Sequence, residues 1–180
     1  MAKDQHHLGG HYNLTHIDEG ALVYLKHKFG IKNMLDIGCG PGDMADIAKK
    51  HGITWTGIDG DETIKRSGKI THDYTTSSCL NLKDAYELGW STEFLEHVQE
   101  EFIGNFLSDF TRCKFVLVTA APPGKKGYHH VNCQNTDYWI KKFRKVGLIF
   151  NKEITESIRK SSTMKREFMR NTGMFYENCN

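Results

Sequence analysis

The chain has 180 residues, the size of one domain, and a domain of this length buries about two-thirds of the surface that its unfolded chain exposes. Hydrophobic residues make up 38% of it and the mean hydropathy is −0.54, so no apolar run is long enough to cross a bilayer and no membrane partner is expected. The formal net charge is only +2, but residues 141–170 contain ten basic residues and only three acidic ones. This local excess of positive charge indicates either an anionic partner or a solvated helix face.

The first residues of the sequence and its cysteines bear on the cellular compartment that we expect. Residues 1–10 are polar and lack the apolar stretch that a secretory signal requires, so we expect a cytoplasmic protein. The five cysteines are odd in number, scattered and without a Cys-x-x-Cys pair. This pattern argues against a disulfide framework and against a zinc site built from thiolates.

The first half of the chain alternates helix-like and strand-like segments, a pattern typical of a parallel sheet built from βαβ units. A helix is predicted over residues 18–29 and ends at Gly30. Strands are predicted over residues 33–38, 53–59, 69–74 and about 85–91.

The second half begins with a predicted helix over residues 93–107, whose apolar residues recur at helical spacing. A strand that is buried on both faces follows at residues 114–120, then a loop rich in Pro and Gly, then a helix over residues 135–146. Two strand-like segments, residues 148–157 and 167–178, are expected to pair as an antiparallel hairpin.

A glycine-rich turn follows the first predicted strand. In LDIGCGPGD, Gly38, Gly40 and Gly42 remove the Cβ atoms that would keep a ligand from the backbone. Asp59 ends the second strand, where a doubly wound fold places the acid that holds a ribose diol. A dinucleotide fingerprint needs a third glycine where this chain has Asp43, whose charge is poorly suited to a pyrophosphate. The motif therefore favours an adenosyl sulfonium ligand, which carries no phosphate.

With these residues the chain resembles the class I S-adenosylmethionine-dependent methyltransferases. The resemblance covers about residues 35–148 and rests on LDIGCGPG, on Asp59 in GIDGD, on Asp73 in HDY and on WSTEFLEHV after the fourth strand. It implies an α/β, Rossmann-like, mostly parallel sheet with helices on both faces and an antiparallel terminal hairpin. It also implies one domain overall, with a lid and helix over residues 1–30 and the methyltransferase domain over residues 31–180.

The resemblance implies S-adenosylmethionine as the cofactor and assigns its contacts. Asp36 and the glycines would lie along the methionine portion, Asp59 at the ribose hydroxyls, and Asp73 with Tyr74 beside the adenine. The segment between Asp59 and Asp73 is shorter than in the family, which makes Asp73 the less direct match. The full set of expected cofactor-binding residues is Asp36, Gly38, Cys39, Gly40, Asp59, Asp73, Tyr74 and Ser91.

A cluster of acids and histidines is expected at the same edge of the sheet. Glu93, Glu96 and His97 are spaced i, i+3 and i+4 in the predicted helix, so their side chains can face one point, and His129 with His130 follows the fifth strand. Such a set suits Mg²⁺ or Mn²⁺, with zinc as an alternative. It resembles the metal site of small-RNA 3′-end 2′-O-methyltransferases and of some ubiquinone-pathway O-methyltransferases. We predict Glu93, Glu96, His97 and His130 as metal ligands.

The catalytic residues are predicted to be His97, His129 and Glu93. In this reading an acceptor hydroxyl ionises at the metal, and His129 or a ligand carboxylate accepts its proton. The alternative has no metal: Glu93 is a favourable charge at the helix start, Glu96 is solvated, and His97 is a general base or a capped polar residue.

The class of molecule that accepts the methyl group is predicted by excluding DNA bases. WSTE stands after the fourth strand, where DNA-base methylases of the exocyclic-amine class carry a proline-rich aromatic motif, so methylation of DNA bases is disfavoured. The leading hypothesis is O-methylation of a hydroxylated small molecule or sugar. The alternatives are an RNA 2′-O-methyltransferase, favoured by the basic residues from Lys141 onward, and a cofactor-binding protein without turnover. The sequence predicts no oligomeric state.

Overall fold

The structure of the protein is a computed structural model, which describes residues 8, 10–76, 79–80 and 82–180. The beginning of the predicted N-terminal lid, residues 1–7 and 9, lies outside the described residues. Among the residues that are described, no helix is both long enough and apolar enough to cross a bilayer.

Within the described part of the chain, one sheet contains seven strands: β1 (Asn33–Ile37), β2 (Thr54–Asp59), β3 (Lys69–Thr71), β4 (Tyr86–Ser91), β5 (Cys113–Val118), β6 (Leu148–Phe150) and β7 (Met174–Asn178). Their order is β3-β2-β1-β4-β5-β7-β6. The pairs among β1 to β5 are parallel, whereas β7 is antiparallel to both of its neighbours. This confirms the predicted Rossmann-like architecture.

Helices cover both faces of this sheet: α1 (Glu19–Phe29), α2 (Met44–Lys50), α3 (Ile103–Phe110), α4 (Thr136–Arg144), α5 (Lys152–Ser161) and α6 (Phe168–Thr172). Polar caps define several of their ends. Asp18 accepts the amide hydrogen of Ala21 at the start of α1, and Gly30 ends α1 in the left-handed conformation. Asn135 and Asn151 cap α4 and α5 in the same way as Asp18 caps α1.

The core consists of two clusters that the sheet separates. Alternate residues of β5 serve the two faces: Val116 and Val118 pack with α3 and α4, whereas Phe115 and Leu117 pack with α1, α2 and α5. This alternation explains why the strand is apolar from Phe115 to Val118, since a strand covered on both sides has no solvent face.

The expectation of one continuous helix over residues 93–107 is wrong. Glu93 has φ +52°, and the chain then forms two short 3₁₀ turns, Leu95–His97 and Glu100–Phe102, before α3 begins. The Glu93 amide donates to Thr119 Oγ1 at 2.9 Å, which holds the backbone out of helical geometry. The residues that were expected on one helical turn are therefore brought together by an irregular segment.

The two terminal segments are strands only in part. Residues 148–150 pair with β7 as the predicted antiparallel hairpin, but the chain turns into α5 directly after β6 because Asn151 caps the new helix through the Ile154 amide. Residues 168–172 form α6 rather than a strand. Ile154 and Ile158 of α5 complete the core cluster on the α1 side.

Candidate functional site

A cavity of about 880 Å³ lies at the carboxyl edge of the sheet. Residues that directly follow successive strands line it, among them Gly38 after β1, Gly60 after β2, His72 after β3 and Thr92 after β4. Its volume is within the range of small-molecule sites, and this edge is where open α/β sheets bind ligands.

The glycine turn forms the floor of the cavity. Gly38, Gly40 and Gly42 all have positive φ, and a Cβ atom on Gly38 would lie 2.4 Å from the Phe94 ring. The amide hydrogens of Gly38 and Cys39 are donated to the Ile58 carbonyl at 2.8 and 3.1 Å, which ties the turn to β2. Gly38 is therefore required both by its backbone conformation and by the packing above it.

Asp59 joins the end of β2 to this turn. Its carboxylate accepts the Gly40 amide at 2.8 Å on one oxygen and the Asp61 amide at 2.9 Å on the other, and the residue lines the cavity. Each oxygen keeps a further lone pair, so the carboxylate can accept hydrogen bonds from a ligand in addition to those from the backbone.

Asp36 is the second acid of the floor and is 3% exposed. Burial raises its pKa to about 7, a hydrogen bond from Trp55 Nε1 at 3.0 Å opposes the rise, and the charge of Asp59 adds to it. Sequence reasoning missed Trp55. The available signal was Gly57 in the middle of β2, because a Cβ atom there would lie 2.2 Å from the Trp55 ring.

Asp73 and Tyr74 lie together on the wall beside β3. The Asp73 carboxylate accepts the Thr75 amide at 2.9 Å, and the Tyr74 hydroxyl donates to the buried Asp109 at 2.8 Å. Burial raises the pKa of Tyr74 well above its usual value, so the phenol stays neutral. Asp109, which also accepts the Leu80 amide, was not found from the sequence.

The structure brings nearly all the expected cofactor-binding residues to this one cavity. Burial raises the pKa of the Cys39 thiol far above its normal value, so Cys39 contributes shape and not a thiolate. Ser91 is the exception, because it is fully buried, donates to the Ile37 carbonyl at 2.7 Å and is not among the lining residues, whereas Thr92 is.

Three of the four predicted metal ligands, Glu96, His97 and His130, come together, with ligand atoms that lie within 4.8 Å of one another. The fourth, Glu93, is not part of this group, so its prediction as a ligand is corrected. Glu96 is fully buried, and its carboxyl lies beside the Glu93 carboxyl and the backbone amides of Glu96 and Ala121. Within the described residues none of these contacts has standard hydrogen-bond geometry. Burial and the neighbouring Glu93 raise its pKa well above its usual value. Glu93 itself accepts from Thr119 Oγ1 at 2.8 Å and lines the cavity at the edge of this cluster.

The two histidines of the cluster meet edge to face, with ring centroids 5.0 Å apart. Burial and, to a smaller extent, the nearby His130 lower the pKa of His97 to about 4, so the imidazole is neutral at physiological pH. His130 Nδ1 lies 3.0 Å from the Lys125 carbonyl, which leaves Nε2 for another partner. The side chain of His129 is not among the lining residues, and its backbone instead contacts His97.

Residues 10–16 form another wall of the cavity, in the region predicted as a lid. His11 Nε2 lies 3.1 Å from an Asp61 oxygen, and Thr15 Oγ1 accepts the Asp43 amide at 3.2 Å. This segment therefore contacts both the glycine turn and the loop after β2.

Comparisons with known proteins agree with this geometry. A sequence family described as a methyltransferase domain matches residues 11–170. No curated protein sequence matches the chain significantly. Many solved structures share the fold at low sequence identity, among them the three that follow.

A SAM-dependent methyltransferase from Archaeoglobus fulgidus has a TM-score of 0.60 and 16% identity over 87% of this chain and 92% of its own. A TehB-like SAM-dependent methyltransferase from Corynebacterium glutamicum has a TM-score of 0.64 and 14% identity over 90% of this chain and 88% of its own. Magnesium protoporphyrin IX methyltransferase from Synechocystis, solved with bound SAH, has a TM-score of 0.59 and 14% identity over 87% and 78%. From the extent of the family match and from this fold, the chain belongs to the methyltransferase-domain family.

Proposed function

We propose that the protein is an S-adenosylmethionine-dependent methyltransferase that methylates a hydroxyl oxygen of a small molecule or sugar, with Mg²⁺ or Mn²⁺ bound by Glu96, His97 and His130. The observation that carries the proposal is the fully buried Glu96 carboxylate, which lies beside two imidazoles at the edge of a cavity with an acidic floor.

The floor of the cavity fits S-adenosylmethionine. The positive charge of a sulfonium is favoured by the nearby carboxylates Asp36, Asp59 and Asp73, which all line the cavity. Asp59 would accept the two ribose hydroxyls on its remaining lone pairs, and the glycine turn leaves its backbone open to the methionine portion.

The acid and histidine cluster fits a divalent ion. A charged carboxylate that is fully buried, as Glu96 would be, is costly unless it is paired or coordinates a metal, and the contacts of Glu96 with Glu93 and with backbone amides supply no positive charge. His130 has the arrangement typical of a ligand histidine, in which one ring nitrogen faces a backbone carbonyl and the other faces the metal. When bound, the ion would supply a Lewis acid that lowers the pKa of an acceptor hydroxyl.

Glu93 is the residue to which we assign removal of the acceptor proton. It lines the cavity, and burial raises its pKa, which makes it a better base than an exposed glutamate. Thr119 holds its carboxylate in place. His129, the other predicted base, would act through its backbone by orienting His97.

Metal binding by the Glu96→Gln variant tests the proposal. In a titration with Mn²⁺ alone, the wild-type protein should bind one ion, and Glu96→Gln should weaken binding by more than tenfold, since the charged ligand is lost. Glu100→Gln is the matched control, because Glu100 is exposed and its carboxylate pairs with Lys142. Binding of S-adenosylhomocysteine should persist in all three proteins.

Activity gives the second readout. Methyl transfer should stop with a chelator and return with Mn²⁺ or Mg²⁺. If Mn²⁺ does not bind, or if methyl transfer survives both the chelator and Glu96→Gln, the metal part of the proposal is wrong and His97 or Glu93 acts as a base without an ion.

A further inference from the structure

The mouth of the cavity is positively charged. Lys125 and Lys126 reach it from the loop after β5, and Lys165 and Arg166 reach it from the loop between α5 and α6. All four side chains are exposed, and within the part of the chain that the structure describes none of them forms an ion pair. Four cations from two separate loops therefore line one cavity.

Within the described residues, no acid of the cavity forms an ion pair with these four cations, and the acid closest in effect is Glu93, which lines the same cavity as Lys125. Asp36, Asp59 and Asp73 lie on the floor, where the cofactor is proposed to bind. Glu167 lies near the mouth, but its carboxylate is held by Arg170 at 2.6 Å. The cavity is thus acidic at its floor and basic at its opening.

The loop that carries Lys165 and Arg166 is fixed by buried polar contacts. The carboxylate of Asp18 is fully buried and accepts hydrogen bonds from Ser162 Oγ and from the Thr163 amide. The Arg170 guanidinium donates to the Ser162 and Met164 carbonyls. These contacts hold the backbone of the loop from which the exposed side chains of Lys165 and Arg166 project.

The loop that carries Lys125 and Lys126 is also held. The Lys125 amide donates to the Pro122 carbonyl at 3.1 Å, and the Lys125 carbonyl faces His130 Nδ1. Lys125 lines the same cavity as Glu93, the proposed base.

We infer that the acceptor carries a phosphate group and that Lys125, Lys126, Lys165 and Arg166 bind that phosphate at the mouth of the cavity. The inference rests on the proposed function, because it takes this cavity as the acceptor site. A phosphorylated small molecule would place its anion among the four cations and a hydroxyl near Glu93. The basic residues at the start of the stretch 141–170 lie elsewhere, with Lys141 on α4 and Lys145 at its C-terminal cap.

The experiment compares ribose 5-phosphate with ribose as probes for the full chain saturated with S-adenosylhomocysteine, by calorimetry at constant ionic strength. The wild-type protein should bind the phosphorylated probe at least about tenfold more tightly, the scale of charge-assisted hydrogen bonds. Two double variants should each lose most of the preference for the phosphorylated probe: Lys125→Gln with Lys126→Gln, and Lys165→Gln with Arg166→Gln. The control pair, Lys141→Gln with Lys145→Gln, removes the same charge from α4 and should keep it.

The outcomes separate this inference from the function on which it rests. Equal affinity of the wild-type protein for both probes overturns the phosphate site. An equal loss of the preference in the control variant Lys141→Gln with Lys145→Gln also overturns it. Tighter binding of a short RNA that depends on Lys141 and Lys145 also overturns it and favours a nucleic-acid acceptor. Affinity for S-adenosylhomocysteine is measured separately in every variant. If the wild-type protein does not bind S-adenosylhomocysteine, the proposed function is contradicted instead.

Discussion

At the scale of single residues, Asp36 and Asp59 on the cavity floor differ in the hydrogen bonds that the protein donates to their carboxyl groups. Asp59 accepts two backbone amides, whereas Asp36 has one hydrogen bond from Trp55 and is almost fully buried. Burial therefore dominates at Asp36 and raises its pKa to about 7.

This difference predicts how the stability of the cofactor-free protein depends on pH. Because the pKa of Asp36 is higher in the folded than in the unfolded chain, its contribution to stability is fully present below about pH 4 and is lost as the pH rises through about 7. Urea unfolding at pH 4 to 8 should show that Asp36→Asn, which keeps an acceptor for Trp55, removes part of this decline. At pH 8 the variant should be relatively more stable by roughly 1 kcal/mol or more. A parallel pH dependence of the two proteins would show that Asp36 does not titrate in this range.

Sequence reasoning recovers those site residues whose position follows from a strand end or a glycine turn. Asp36 and Asp59 belong to this group, because motif spacing alone places them at the carboxyl edge. Trp55, Asp109 and Thr119 do not, because their partners Asp36, Tyr74 and Glu93 lie 19, 35 and 26 residues away and leave no local pattern. Ser91 was expected at the cofactor because it ends β4, but its side chain faces Ile37.

At the scale of secondary-structure elements, the segment after β4 departs most from expectation. Its apolar residues recur at helical spacing, yet Thr119 holds Glu93 at φ +52° and α3 starts ten residues later, at Ile103. A positive φ at a residue other than glycine is strained, and such strain is concentrated at functional sites. Here it lets Glu93 face the cavity while Glu96 remains buried.

Two glycine substitutions test how the elements are built. Gly38→Ala should lower the free energy of unfolding by about 2 kcal/mol or more, since Gly38 has φ +71° and its new Cβ would clash with Phe94. Gly104→Ala should raise it by a few tenths to about 1 kcal/mol, because Gly104 lies in α3 with open space around it. Chemical denaturation of both variants gives the comparison. Equal effects of the two substitutions would contradict the packing described for the turn.

At the scale of the whole molecule, the sheet order positions the proposed chemistry. β1, β2 and β4 end beside one another, so the acids after them meet in one cavity, and the long loops after β5 and α5 bring cations to its mouth. The alternation of strands and helices predicts most of this architecture. The α5 and α6 helices were missed because the predicted strand segments, residues 148–157 and 167–178, contain the apolar runs of β6 and β7, and the neighbouring helical residues were read as part of the same strands.

Calorimetric titration of the protein with S-adenosylhomocysteine tests the central claim most directly. We expect one site per chain, and Asp59→Ala should weaken binding by about 1 to 3 kcal/mol, the scale for losing charged hydrogen bonds to a ligand. Asp46→Ala is the matched control, since Asp46 is exposed on α2 and pairs only with Arg66 among the described ion pairs. It should leave the affinity unchanged. Absence of binding by the folded wild-type protein, or equal affinity of Asp59→Ala and wild type, would contradict the assignment of this cavity to the cofactor.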